Sequence, residues 1–565
     1  MSENGTGCVT RRSLIKTAGL AGACGLVPAV PMLAGRRVSA QSAGDQFDIA
    51  IVGGGVAGAY CAWRLQRADP GRRIVLLEQS NRIGGRLLSV RPPGIPNMVA
   101  ELGGMRFVPA AHPRLVRLVA AMNAVLPDRE RLQSYNFPRS DPQNLAYLRG
   151  VRLRNSDFEN APDRVPYQLR ASERGIAPAD LLARAFAQIV PGIDDPSLSA
   201  EGRRQMARAA VFDGAPLYDQ GVWNVLMRVL SSEAREMIVQ ADGYHSVVSN
   251  ENAVDALLLS FEFQGVDPTQ RAFVGGYQRV PQSLAEMFAQ AGGTIRMGTA
   301  VVGCEPDQGG FQLELADGAI GANAVILAMP QRALQLISGR STLLQQIAGL
   351  ISTVRPIPAF KVFATFQDPW WRSIGGSTAP LEHGESTTDL PLRQIYYWPR
   401  TDGRPSTDGR SMLMAGYNDD QFVGFWDALQ PPHDRMLTPV ANEGSNFETF
   451  VGTCSGGAGD WCDHLAPRRL VEEAARQLAE VHGLAQPPEV VDAAFRDWKG
   501  DPFGGGWHHW QIGVRGDEAA QRIFNPIDGV PLYICGEAYS NTQGWVEGAL
   551  ETADLVLDRF GLPPL

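Results

Sequence analysis

Short apolar runs alternate with amphipathic stretches along most of the chain. FDIAIV (Phe47 to Val52) reads as a short buried strand, Ala59 to Arg67 has helical spacing, and Arg73 to Leu77 is a second apolar strand. Ala179 to Val190, Ala200 to Phe212 and Leu217 to Asp242 place apolar residues at i, i+3 and i+4, which predicts three helices. A polar hairpin around Asp307 precedes the apolar strand Ala324 to Met329. From about 340 to 515, runs such as AFKVFATF and RSMLMAGY alternate with Gly/Pro-rich loops, the pattern of a sheet. The loop Thr401 to Arg410 is polar and expected to be exposed. The aromatic clusters Trp370-Trp371 and Tyr396-Tyr397-Trp398 read as core. No repeat or low-complexity segment is visible. The alternation predicts an α/β protein, and 565 residues exceed one core, so two or three domains are expected.

The first forty residues follow another pattern. TRRSLIK (Thr10 to Lys16) precedes a weakly apolar, Gly/Ala-rich run broken by Pro28 and Pro31, and Val38-Ser39-Ala40 offers a small-residue cleavage site. This looks like a twin-arginine export signal, which implies passage of a folded chain through the twin-arginine translocase. A periplasmic or secreted location is expected, with no stable membrane anchor. The segment holds five basic residues and one acid, so its removal takes the formal charge from −9 to −13. An acidic chain excludes nucleic acid as a natural partner, since that needs basic patches. Of the 7 cysteines, five remain after cleavage, too sparse for a disulfide framework, although Cys454 and Cys462 are close enough to pair. No CxxC or HExxH spacing occurs, so no metal is expected.

The first strand runs into Gly53-Gly54-Gly55-Val56-Ala57-Gly58, a GxGxxG turn that opens a helix. Gly53 permits the tight turn, Gly55 lets the backbone approach a pyrophosphate, and Gly58 lets helix and strand pack closely. The helix N-terminus offers N–H groups and a positive dipole end to phosphate. Glu78, followed by Gln79, ends the second strand twenty residues past Gly58, where a carboxylate can accept from an adenosine ribose. That acid disfavours a 2′-phosphate.

NRIGGRLLSV follows, with Gly84, Gly85 and Arg86 forming a second glycine turn that carries a cation. With ELGGMRFVP (Glu101 to Pro109) and ICGEAYSNTQGWVEGALETAD (Ile534 to Asp554), the chain resembles the flavin amine oxidase family. The resemblance implies a Rossmann-type FAD-binding domain assembled from discontinuous segments, with a mixed-sheet substrate domain and a helical subdomain. The expected limits are a signal peptide at 1–40, the FAD domain at 46–90, 272–335 and 520–562, the substrate domain at 91–149, 266–271 and 336–519, and the helical subdomain at 150–265. It further implies that Glu537 meets the ribityl region of FAD, that Gly544 and Trp545 lie against the isoalloxazine, and that the helix from Val546 through Ala549 points its N-terminus at the flavin. Gly103, Gly104, Met105 and Arg106 are expected along the cofactor, and Val301 against the adenine.

Within the family, Arg106 takes the place of the arginine that grips a substrate carboxylate in L-amino-acid oxidases. TDLPLRQIYYW (Thr388 to Trp398) resembles the same region of the snake-venom enzymes. Lys361 in FKVFATF matches the family lysine that holds a water beside the flavin N5, which implies a role in helping O2 reoxidise the reduced flavin. The tyrosine that assists the arginine is missing: the aligned residue is Ala415. Tyr417, two residues on, is the substitute expected from strand alternation. The aligned position of a pocket histidine is Val254. GEAYSNTQGWVEGAL and DPFGGGWHHW look closer to bacterial amino-acid 2-monooxygenases, and Trp507 or His508 is expected to line the side-chain pocket. Asp242 is either a partner for a basic substrate side chain or a surface acid at a helix end. The reading is oxidative deamination of an L-amino acid to a 2-oxo acid, ammonia and hydrogen peroxide, catalysed by Arg106, Lys361 and Trp545 in a homodimer. The alternatives are a 2-monooxygenase, a dehydrogenase or amine oxidase of the same fold, and a non-catalytic flavoprotein.

Overall fold

The computed structural model describes residues 46–245, 249–374, 380–430 and 461–565. The export-signal segment and Cys454 lie outside the described residues. Two seven-stranded sheets organise the rest. The first runs in the order Thr294–Arg296, Ile74–Leu77, Gln46–Val52, Gly318–Leu327, Gly310–Leu315, Val301–Asp307, with Leu532–Ile534 also paired to Gly318–Leu327. Its centre is parallel: Gln46–Val52 pairs with Ile74–Leu77 on one side and Gly318–Leu327 on the other. Ile49 and Ile51 enter one core cluster while Ala50 and Val52 enter another. A strand covered on both faces reads as a continuous apolar run, which is why FDIAIV lacks alternation.

The second sheet runs Asp492–Asp497, Ala359–Phe366, Ser411–Asp419, Gln394–Tyr397, Glu385–Thr388, Leu145–Leu148, Val151–Arg154. Its last strand lies past residue 150, so the sheet reaches into the stretch expected to be helical. A cluster of buried side chains including Phe186, Leu226, Ile238 and Leu257 joins the helices of that stretch. Among the described residues, no helix is long and apolar enough to cross a membrane.

Three expectations need correction. The helix read from Leu217 to Asp242 is broken into a 3-10 turn at Leu217–Asp219 and helices at Val222–Leu226 and Ser232–Asp242. Ser231 accepts from the Ala234 N–H and caps a new helix, a competing local hydrogen bond that periodicity does not register. The helix read to Phe212 ends at Ala209, and Val211–Phe212 pairs with Ala215–Pro216. The region read as sheet from 340 to 515 contains the helix Arg468–His482, whose Leu470, Ala474 and Leu478 pack in one cluster with Leu413 and Ala415 of the sheet. Cys462 is disulfide-bonded, and Cys61, Cys304 and Cys535 are free and buried.

Candidate active site

The glycine turn is tight where it should be and open where a ligand would pass. Gly53 has φ +110°, and a Cβ there would sit 2.4 Å from the Ala328 carbonyl oxygen. A Cβ on Gly58 would sit 2.0 Å from the Gly53 oxygen. Gly55, by contrast, would meet only the Gly85 Cα at 3.9 Å. Helix Val56–Ala68 starts at that point with no side chain capping it, so the N–H groups of Val56, Ala57 and Gly58 face the gap between Gly55 and Gly85. This is a cradle fit for a pyrophosphate. Glu78 closes the turn: its Oε2 accepts from the Gly54 N–H at 2.7 Å and its Oε1 from Ser80 N–H and Oγ. Gln79 is exposed beside it, and Val301 begins its strand buried.

At the other end of the cradle, Glu537 is buried and fully engaged. Its Oε1 accepts from the backbone N–H groups of Gly544 (2.8 Å) and His508 (3.0 Å). Its Oε2 lies 2.6 Å from Arg86 Nη1 and 3.1 Å from His508 Nδ1. Burial opposes the ionised form, but Arg86 and His508 hold the carboxyl well below the usual carboxylate range. Gly544 has φ +82°, which a side chain would strain, and Trp545 then opens helix Val546–Asp558 without a side-chain cap. The Trp545 ring packs on His112 and Phe263 at 4.6 and 5.9 Å between centroids, and Ala549 is buried in the first turn.

Arg106 is the cation of the site. Its Nη1 donates to the Tyr396 hydroxyl at 2.9 Å and its Nη2 to the Tyr244 hydroxyl at 3.4 Å. Among the described residues no carboxylate stands within ion-pair distance of it. Met105, next in the chain, is buried with Tyr417 and Tyr396 in one cluster. Lys361 donates to the carbonyls of Gly103 (2.5 Å) and Glu101 (3.2 Å) and lies over the Tyr417 ring at 4.6 Å. Gly104 donates to the Arg86 carbonyl, which ties this loop to the second glycine turn. Burial, aided by Arg106 and opposed by Glu101, pushes the Lys361 amine down to about 7. Tyr244, Tyr417 and Trp507 meet edge to face, with centroids 5.3 to 6.5 Å apart, and form the aromatic wall of the site.

Four expectations change here. Tyr417 does reach the site, but not by the parity argued from sequence. A bulge between Val362 and Phe363 leaves Ala415 unpaired, so Lys361 faces Tyr417 while Phe363 faces Met414. Ala415 then packs with Leu413 in one cluster and Tyr417 with Met414 in the other. The hydroxyls that touch Arg106 belong to Tyr396, which reads as core in the sequence, and to Tyr244. His508 does not line the pocket: one position past Trp507, it turns to Glu537 and Arg86. Asp242 is no surface acid. Its Oδ2 is buried without a partner, and burial, with Glu385 nearby, pushes the carboxyl up to about 7.

Sequence reasoning missed Tyr244 and Tyr396. Gly243, at φ +86° just past its helix, marks a chain reversal that carries Tyr244 inward. That signal could have pointed to the position but not to its partner.

A nucleotide cradle under a parallel sheet, a second sheet carrying a buried lysine, and an arginine among aromatic rings define a flavin-dependent amine-oxidising class. The chain belongs to the family of flavin containing amine oxidoreductases, whose sequence model matches residues 56–556. It is 27% identical over 572 residues to aplysianin-A of Aplysia kurodai, covering 95% of this chain and 96% of that one. It is 24% identical to an L-amino-acid oxidase of Mus musculus, covering 89% of this chain and 69% of that one. Putrescine oxidase bound to putrescine superposes with a TM-score of 0.61 at 17% identity, over 92% of this chain and 99% of that one, a likeness of fold.

Proposed function

We propose that the protein is an FAD-dependent L-amino-acid oxidase, releasing a 2-oxo acid, ammonia and hydrogen peroxide. The observation that carries this reading is Arg106: a guanidinium enclosed by rings whose hydrogen bonds, among the described residues, go to the neutral phenols of Tyr396 and Tyr244, with Glu385 standing behind Tyr396 and outside ion-pair distance. Such a cation is completed by an anion, and a substrate carboxylate supplies one in bidentate form. The residues present fit FAD as the flavin that the family uses. Gly53, Gly55, Val56, Ala57, Gly58, Glu78, Gln79 and Val301 would hold the adenosine diphosphate end. Gly85, Arg86, Gly103, Gly104, Met105, Glu537, Gly544, Trp545, Val546 and Ala549 would hold the flavin end.

When held there, a flavin would supply the two-electron redox chemistry between the amino acid and O2. The protein's own residues do the rest. Arg106, steadied by Tyr396, anchors the carboxylate and sets which face of Cα the substrate presents. Tyr244, Tyr417 and Trp507 exclude water from that position. Uncharged amine is the reactive form, so no side chain is required as a strong base. Lys361, held by two carbonyls, places a positive charge where reduced oxygen needs one. Export through the twin-arginine translocase, as TRRSLIK suggests, delivers the folded, cofactor-loaded enzyme to the periplasm or beyond and keeps peroxide out of the cytosol. A homodimer is the proposed assembly, to be checked by sedimentation.

The test is anaerobic bleaching of the purified yellow protein across the twenty L-amino acids and their decarboxylated amines. Bleaching by amino acids alone, followed on air by peroxide and ammonia, is the expected result. Equal bleaching by amines would overturn it, and carbon dioxide with an amide product would mark a monooxygenase.

A further inference from the structure

Trp507 belongs to the aromatic wall, and something holds it there. Strand Trp507–Trp510 pairs antiparallel with Val354–Ile357. Alternation sends His508 to the Glu537 side and leaves Trp507 and His509 on the opposite face. The Trp507 indole Nε1–H donates to His509 Nε2 at 3.2 Å. An imidazole nitrogen that accepts carries no proton, so the ring proton of neutral His509 sits on Nδ1. Nδ1 lies 3.3 Å from Glu251 Oε2. Both residues are enclosed, with side-chain exposures of 10% for His509 and 1% for Glu251. Among the described residues neither Glu251 oxygen makes a hydrogen bond, so its contact with Nδ1 is a close approach inside the core, where burial, with Asp255 next, pushes the Glu251 carboxyl up.

The three side chains also join separate parts of the fold. Glu251 precedes helix Ala253–Ser260, and its carbonyl accepts from the Val222 N–H at 2.7 Å. The neighbouring Asn252 side chain donates to the carbonyls of Gln511 and Val514, just past the Trp507 strand. The helical layer is thus pinned just beyond the far end of the strand that begins with Trp507. Besides Glu251, the charged and titratable groups facing His509 are Arg355, Glu537, His508 and Asp420. Burial, with Arg355 next, pushes the imidazole down to about 4, so the acceptor nitrogen stays free through the neutral range.

We propose that His509 and Glu251 are positioning residues for amino-acid oxidation: together they fix the plane of the Trp507 indole and so the shape of the slot in which the substrate Cα is presented. The part concerning the reaction rests on the oxidase reading; the relay itself does not. Glu251 stands against Nδ1 and limits how the imidazole can turn, the imidazole accepts from the indole, and the indole sets the wall shared with Tyr244 and Tyr417. No bond is made or broken along this chain of contacts, and Lys361 is untouched by it.

The experiment uses holoenzyme labelled with 15N-indole tryptophan, with the Trp507 resonance assigned by its loss in Trp507→Phe. In His509→Leu the indole proton is expected to move upfield, and in His509→Gln, which offers an acceptor oxygen, to return. Anaerobic flavin reduction by the best L-amino acid should slow about tenfold or more in His509→Leu, since a misplaced wall costs orientation. Reoxidation by O2 should be unchanged, and His509→Gln and Glu251→Gln should lose less. In a Trp507→Phe background, His509→Leu should cost little more, because the contact is already gone. An unmoved indole resonance in His509→Leu overturns the relay. Fully additive effects, or equal slowing of both half-reactions, overturn the positioning role. If wild-type enzyme is bleached by no amino acid, the oxidase reading fails, while the indole resonance still decides the relay.

Discussion

Arg86 and Glu537, 451 positions apart, meet at 2.6 Å. The contact joins the second glycine turn to the loop before the last helix, and the same carboxylate also holds the backbone of Gly544 and His508. One buried anion thereby aligns the two chain segments that would flank a flavin.

Glu537→Gln should therefore destabilise the protein by about 3 kcal/mol at neutral pH, because it leaves a partly buried guanidinium without its counter-charge. The sign with pH follows from the depressed carboxyl. Its contribution is fully present above the unfolded value near 4.5 and is lost as pH falls toward the lower folded value. Urea unfolding of wild type and variant should differ most near pH 7 and converge in acid. A constant difference down to pH 3 contradicts this account.

Gly55→Ala and Gly58→Ala separate ligand space from packing space. A Cβ at position 58 lands 2.0 Å from a backbone oxygen, so that variant should fold poorly with or without cofactor. A Cβ at 55 meets nothing nearer than 3.9 Å, and its backbone is extended, so Gly55→Ala should fold normally. It should nevertheless lose flavin, seen as a falling ratio of 450 to 280 nm absorbance. Retained flavin in Gly55→Ala would place the pyrophosphate elsewhere.

Arg106→Met should lower kcat/KM for L-amino acids by about 100-fold or more, the loss expected of a charge-assisted bidentate anchor. Slow turnover of the matching decarboxylated amine should barely change. Steady-state oxygen uptake on both substrates measures the contrast.

Tyr396→Phe removes the 2.9 Å hydrogen bond to Arg106 and keeps the ring. KM for L-amino acids should rise about tenfold with kcat nearly constant, since the hydroxyl steadies ground state and transition state alike. A selective loss of kcat would instead give the phenol a part in the chemical step.

Lys361→Met should leave anaerobic flavin reduction close to wild type and slow reoxidation by O2. The wild-type rate of reoxidation should carry a pH dependence that the variant lacks. With the amine pushed down to about 7, the group is cationic below that value and neutral above it, so reoxidation should be faster on the acid side. Stopped-flow mixing of reduced enzyme with oxygenated buffer from pH 6 to 9 reads this directly.

Much of the cradle was legible from local sequence. A turn of three glycines after an apolar run, and an acid twenty residues past its last glycine, are constrained by contacts within a single βαβ unit. The Gly54–Glu78 hydrogen bond spans only 24 positions. The helix Arg468–His482 was missed although Leu470, Ala474 and Leu478 repeat at i and i+4, because the strands around it set the expectation for the whole stretch. Tyr396 was misjudged for a different reason. A buried tyrosine in an aromatic run is ordinary core by type, and only its 290-position contact with Arg106 makes it part of the site.

The sequence by itself determined the phosphate turn and the acid that closes it, which lie near one another along the backbone, and the family of the chain, because each of its separated motifs is local. Which side chains surround Arg106 was decided only by the tertiary structure. A single bulged residue at Ala415 reverses the parity of a strand, and with it the face that Tyr417 presents. Side-chain direction in a sheet depends on every residue between the last fixed pairing and the one in question, so one unpaired position, silent in composition and periodicity, redraws the pocket.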